Sequence, residues 1–106
     1  MSDKPTPIDL VPYAEMLGGG REFLRAWAKE NGPESYFVNP RALGPDPALF
    51  GIAVVDAARH AAAAWGKALG KPESEMLDRI WEGLDAERAA PTNDLPLPVA
   101  VARKDD

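Results

Sequence analysis

The sequence predicts an α+β fold: a small two-layer unit in which a β-hairpin packs on two antiparallel helices, with extended N- and C-terminal arms. Three patterns predict it. Two long segments have helical apolar periodicity, a shorter stretch alternates around a turn signal, and prolines cluster at both ends. With 106 residues and 45% hydrophobic composition, the chain fits one globular domain. We divide it into an arm at 1–12, an α+β domain at 13–90 and a proline-containing tail at 91–106.

The predicted hairpin pairs residues 22–29 with residues 35–39. The first stretch alternates, with the larger side chains Phe23, Arg25 and Trp27 on one side and Leu24, Ala26 and Ala28 on the other. Ser35-Tyr36-Phe37-Val38 is strand-like, and Asn31-Gly32 is a turn signal. The first stretch also contains good helix formers, so helix–turn–strand remains an alternative. A hairpin is marginal alone and must pack on something, and the helix pair is the available partner.

The first long helix is predicted over 47–69. Asp46 suits the N-cap and Pro47 the first helical position, while Gly70 suits the residue after the C-terminus. The apolar residues that share one side are Phe50, Val54, Ala58, Ala61, Trp65 and Leu69. We expect this side to anchor the domain and the helix to be covered on most of its circumference, because its polar arc is narrow.

The second long helix is predicted over 73–89. Its apolar stripe consists of Met76, Leu77, Ile80, Trp81 and Leu84. The link Gly70-Lys71-Pro72 is short, which favours an antiparallel helix pair. At helical spacing such a stripe is more typical of a core than of a partner-binding surface.

Composition excludes several classes of function. The formal charge of −5 disfavours nucleic-acid binding, which needs a basic surface. There is no cysteine and a single histidine, His60, so thiolate chemistry and a multi-histidine metal site within one chain are excluded. We expect no metal, no cofactor, no membrane span and a cytoplasmic location.

One group of side chains is a candidate binding site. Asp56 and His60 are four residues apart and therefore neighbours on one helical face, with Arg59 at its edge. A carboxylate beside an imidazole is the arrangement of an acid–base pair, and a guanidinium can bind an anion with two hydrogen bonds. The alternative is a solvated polar stripe, because this spacing is common and no nucleophile lies nearby in the sequence.

Several short motifs resemble a small bacterial family of domains of unknown function. They are Asp46-Pro47-Ala48-Leu49-Phe50-Gly51, the stretch from Val55 to Ala61 with its Asp-x-x-Arg-His, Arg25-Ala26-Trp27, and the stretch from Glu87 to Asp94. The resemblance covers roughly 13–94. It implies a β-hairpin plus two helices, in which an Asp-Pro-initiated helix carries Asp-x-x-Arg-His. It brings no reaction, cofactor or catalytic residue.

Two hypotheses about function follow. The first is a non-catalytic interaction or scaffold module that acts as a homodimer, because a core of this size is small and a hairpin leaves an open strand edge. The second is a domain that binds a small anion or carboxylate, or transfers protons, through Asp56, Arg59 and His60. We favour the first, with self-association as the main partner and an unidentified protein as another. The segment 95–101 is expected either on its own domain or across a second copy.

Overall fold

The computed structural model describes residues 4–93 and 100–101. The chain forms a helical turn followed by a hairpin, two long helices and a last short strand. In chain order the elements are a 3-10 turn Val11–Tyr13, helix α1 Ala14–Leu17, strands β1 Leu24–Trp27 and β2 Ser35–Val38, a 3-10 turn Pro40–Ala42, helices α2 Ala48–Leu69 and α3 Glu73–Ala89, and strand β3 Ala100–Val101. The predicted α+β class is confirmed.

The hairpin forms as predicted, with shorter strands. Strands β1 and β2 are antiparallel, Leu24 lies opposite Val38, and Trp27 lies opposite Ser35. The ladder extends one bond further, because the Asn39 N–H donates to the Phe23 carbonyl oxygen at 2.9 Å. The helical alternative for 22–29 is therefore wrong: the alternation and the turn residues outweigh the helix propensity of this stretch.

Strand β3 comes from the predicted tail. It pairs in parallel with β2, with Phe37 opposite Ala100 and Val38 opposite Val101, so the sheet order is β1-β2-β3. Of the two alternatives for the segment 95–101, pairing within the same chain is seen for residues 100 and 101. The rest of that segment lies outside the described residues.

Helix α2 ends at the predicted residue, Leu69, and begins at Ala48, one residue after the predicted start. The Asp46 carboxylate accepts a hydrogen bond from the Ala48 N–H at 3.0 Å, which satisfies one of the unpaired donors of the first turn. Gly70 adopts the left-handed conformation, with φ of 66°, that terminates many helices. The Gly66 carbonyl oxygen then accepts from the Lys71 N–H at 3.0 Å, and the chain turns directly into α3.

Helices α2 and α3 pack against each other through small residues of α2. The buried residues of α2 are Ala58, Ala62 and Gly66, which recur every four positions along one face. A Cβ atom at Gly66 would lie 2.9 Å from the Lys71 carbonyl oxygen and 3.4 Å from the Glu73 Cα. The two backbones therefore approach closely where the helices join, and only a glycine fits there. Opposite this packed face, Met76 is the buried residue of α3.

The expectation that the Trp65 side of α2 anchors the domain is wrong for the single chain. Trp65 is 56% exposed and Leu69 is 57% exposed. The α2 residues that meet α3 are the small ones, because only they let the two backbones approach so closely. The larger side chains lie beside and beyond this line of contact, and no element within residues 4–93 buries them.

The hairpin meets the helices at one end rather than across both of them. The Phe23 ring packs edge-on against Phe50 of α2, with ring centroids 6.3 Å apart. Further along β2, the successive residues Tyr36 and Phe37 point to opposite faces of the sheet, yet they are 51% and 45% exposed. Both faces of the small sheet are thus open to solvent in the single chain.

The N-terminal part of the chain lies outside the helix pair. Every residue from 4 to 22 is exposed. The Asp9 carboxylate accepts a hydrogen bond from the Val11 N–H at 3.0 Å and so starts the first helical turn. A helical turn at 11–17 was not expected from the sequence, and the predicted domain limits of 13–90 stay a prediction.

Candidate functional site

Helix α2 presents three candidate surfaces, and the first is the polar group expected from the sequence. Asp56, Arg59 and His60 line one shallow depression of about 370 Å³, together with Ala63 and Glu73. The helical spacing predicted that the first three would be neighbours. Glu73 was missed because it comes from the start of α3 and reaches the depression only through the packing of the two helices.

The charges of this polar depression do not favour an anion. Asp56 and Glu73 supply two carboxylates, Arg59 supplies one guanidinium, and all three side chains are exposed, as is His60. Within the described residues, no hydrogen bond joins His60 to Asp56. Exposed charges interact weakly through water, so nothing here holds the imidazole in one orientation.

No metal centre is formed in the part of the chain that the structure describes. There, no three side chains of His, Cys, Asp or Glu come together in a way that could hold a metal ion. Likewise, no helix within 4–93 is long and apolar enough to cross a membrane.

The second surface is an apolar pocket of about 300 Å³ between the end of β2 and the start of α2. It is lined by Val38, Pro40, Leu43, Gly44, Pro45, Asp46, Pro47 and Phe50. Three prolines make its wall stiff, because their φ angles are fixed. Its one charged side chain, Asp46, is engaged as the cap of α2. Gly44 has a φ of 128°, and a Cβ there would lie 2.9 Å from the Leu49 Cδ1 atom.

The third surface is the apolar side of α2 that α3 does not cover. We call it the uncovered face, and its residues are Ala57, Ala61, Ala64, Trp65 and Ala68. Four of them are exposed and Ala61 is half-buried. Trp65 is the largest side chain on this face, and a tryptophan that is 56% exposed leaves much apolar area in contact with water. The polar residues of α2 lie on a different arc of the helix.

The exposed area of the chain is large for its size. The total is 9350 Å². Residues 1–3, 94–99 and 102–106 lie outside the described ranges, and a chain of that length has an upper limit of about 2,200 Å². The described residues therefore expose at least roughly 7,100 Å². A compact domain of about 10 kDa exposes roughly 5,200 Å². The difference, roughly 1,900 Å², exceeds the ~800 Å² that each partner contributes to a standard protein interface.

Fold and surfaces together define a small α+β domain with a thin core and broad apolar surfaces. The chain belongs to the family described as a domain of unknown function, DUF5076, whose model matches residues 10–92. This confirms the resemblance drawn from the Asp-Pro and Asp-x-x-Arg-His motifs.

A solved structure shares this fold. It comes from the photosynthetic bacterium Rhodopseudomonas palustrus CGA009 and is provisionally named a pyruvate dehydrogenase. It is 34% identical to this chain and superposes with a TM-score of 0.64, covering 90% of this chain and 95% of its own. No curated protein matches the chain.

Proposed function

We propose that this domain is a non-catalytic interaction module that works as a homodimer. The observation that carries the proposal concerns helix α2. Its sequence is apolar around most of its circumference, but α3 covers only one face of it. Ala58, Ala62 and Gly66 are buried against α3, whereas Trp65 is 56% exposed. Large exposed apolar surfaces are typical of protein interfaces.

A second copy accounts for the surface that one chain leaves open. The excess exposed area of roughly 1,900 Å² is of the size that a stable homodimer removes from each subunit. The uncovered face is made of alanines around one tryptophan, so two such helices can approach closely while Trp65 fills the space beside them. Tryptophan is among the residues that contribute most to interfaces.

Light scattering on the full chain tests the proposal. We expect a dimer at micromolar concentration, and a monomer persisting to the highest soluble concentration would overturn it. The matched variants are Ala64→Arg on the uncovered face and Ala63→Arg, one residue earlier in the sequence, in the polar depression. Both residues are exposed, so the helix content of the monomer should change little in either.

The two variants should differ in self-association. Ala64→Arg buries a charge in the proposed interface, and its dimer dissociation constant should rise at least tenfold, about 1.4 kcal/mol. Ala63→Arg should leave the dissociation constant unchanged. Equal effects of the two variants would contradict an interface on the uncovered face.

A second candidate function is small-molecule binding in the polar depression. The observation that favours it is that Asp56, Arg59 and His60 line one concave surface. Calorimetric titration with inorganic phosphate and with acetate tests it, using His60→Ala and Arg59→Gln as controls that should remove any binding. The carboxylate of Glu73 opposes an anion there, so Glu73→Gln should strengthen binding if the site is real.

A further inference from the structure

Within residues 4–93, the N-terminal segment 8–17 has the largest share of exposed apolar side chains. Twelve large hydrophobic residues of that range are strongly exposed, and six of them belong to this segment, with Ile8 at 84%, Val11 at 79% and Met16 at 74%. The 3-10 turn and α1 make their main contacts with each other. An isolated four-residue helix is unstable in water, so a docking surface is needed to hold its conformation.

A glycine linker separates this segment from the hairpin. Gly18-Gly19-Gly20 follows α1, and Gly19 adopts a φ of 81°, which side-chain-bearing residues rarely adopt. The Gly18 and Gly20 N–H groups donate to the Glu15 and Leu17 carbonyl oxygens and close the end of α1. Three glycines in a row place few steric limits on the direction in which the chain leaves this turn. Such hinges are where chains exchange an element with a second copy.

The apolar pocket between β2 and α2 is chemically suited to bind the apolar side chains of the N-terminal segment. Among the described residues, none from the N-terminal segment of the same chain lines this pocket. A volume of about 300 Å³ corresponds to roughly ten water molecules in the liquid, and aliphatic side chains can replace them. The charged side chain of the pocket, Asp46, already accepts the hydrogen bond that caps α2, so docking in the pocket does not require a charged group. The N-terminal segment carries mostly aliphatic and aromatic side chains.

We infer that the N-terminal segment of one copy docks in the apolar pocket of a second copy, so that the dimer is built by reciprocal arm exchange. The inference rests on the proposed homodimer and identifies a second contact within it. Exchange covers the segment and the pocket in one step. It also covers exposed apolar side chains of the N-terminal segment, which contacts through α2 alone would leave in water.

Disulfide trapping tests the exchange, because the chain has no cysteine of its own. Chains with Met16→Cys are mixed with mass-tagged chains carrying Leu43→Cys and oxidised, so that a bond between the two kinds of chain forms only between copies. Pro45→Cys is a second pocket variant, in case Leu43→Cys impairs folding. The control partner is Asp78→Cys, an exposed position of α3.

We expect the Met16–Leu43 heterodimer to form at least several-fold faster than the Met16–Asp78 control. If light scattering shows a dimer but neither pocket variant crosslinks above the control, the exchange is overturned and the proposed homodimer stands. If the protein is monomeric, both are overturned. A Met16→Cys, Leu43→Cys double variant that forms its disulfide only within one chain also overturns the exchange, since the segment then docks in its own pocket.

Discussion

Two faces of helix α2 are both rich in small residues but have opposite surroundings. The packed face, made of Ala58, Ala62 and Gly66, is buried against α3, and the uncovered face, made of alanines around Trp65, lies open. The less hydrophobic of the two faces is therefore the one that the chain buries. Close approach of two backbones, rather than side-chain hydrophobicity, decides where the helices pack. The larger apolar side chain Trp65 then remains exposed, at 56%.

The largest expected effect breaks the packed face. Gly66→Ala places a methyl group 2.9 Å from the Lys71 carbonyl oxygen, and we expect it to cost about 2–3 kcal/mol of stability. Gly51→Ala makes the same chemical change in the same helix, where nothing lies within 4 Å, and should stabilise by about 0.5–1 kcal/mol. Urea denaturation at equal protein concentration measures both. A stabilising Gly66→Ala would contradict the close helix approach.

The next effect compares adjacent residues on the packed face and in the polar depression. Ala62 is 0% exposed, so Ala62→Val must displace its neighbours and should cost about 1–2 kcal/mol. Ala63→Val adds the same group at an exposed position and carries only the helix-propensity cost, at most about 0.7 kcal/mol. The difference between their denaturation midpoints measures the cost of packing the larger side chain against α3. Equal midpoints would show that α3 does not cover Ala62.

A smaller effect tests the start of α2, from which both faces extend. Asp46→Ala removes the hydrogen bond to the Ala48 N–H, and we expect a loss of about 1 kcal/mol. Asp46→Asn keeps an accepting oxygen and should recover most of that loss. Thermal unfolding followed by circular dichroism measures the pair, and an Asn variant as unstable as the Ala variant would argue against capping.

The smallest effect concerns the hairpin, whose open faces resemble the uncovered face of α2. The Arg25 guanidinium donates to the Glu22 carboxylate, with Nε to Oε2 at 2.9 Å, and this hydrogen bond holds the pKa of Glu22 below its ordinary value. The stabilisation is therefore present above the unfolded-state pKa and is lost as the pH falls through the lowered one. Glu22→Gln should lower the melting temperature slightly at pH 7, and this difference should shrink as the pH falls through the lowered pKa of Glu22. A difference that stays constant across the acidic range would contradict the ion pair.

The sequence predicted the elements better than their packing. Pro72 and the Met76–Leu84 stripe predicted α3 over 73–89, as observed, and Asp46 and Gly70 predicted the ends of α2. These signals are local, so they can be read from the chain directly. The packed face could not be identified from the sequence, because two alanines and a glycine spaced four residues apart have little hydrophobicity. The large side chains of Phe50 and Trp65 dominate the apolar periodicity of the helix instead.

Non-local contacts explain the other gaps. Helical spacing placed Asp56, Arg59 and His60 together, but Glu73 joins them only because α3 packs beside α2. Strand β3 consists of two residues with no pattern of their own, and it forms because β2 offers an unpaired edge. Neither contact leaves a periodic signal in the sequence.

The order of strands in the sheet has a consequence for synthesis on the ribosome. Strand β2 is the middle strand, and β1 is already available when β2 emerges, but β3 is translated only after both long helices. Until then the outer edge of β2 has free N–H and C=O groups, and a nascent chain in that state can pair with a neighbouring one. Shortening the protein before residue 100 would make this transient exposure permanent, so such truncations should aggregate more during expression than the intact protein.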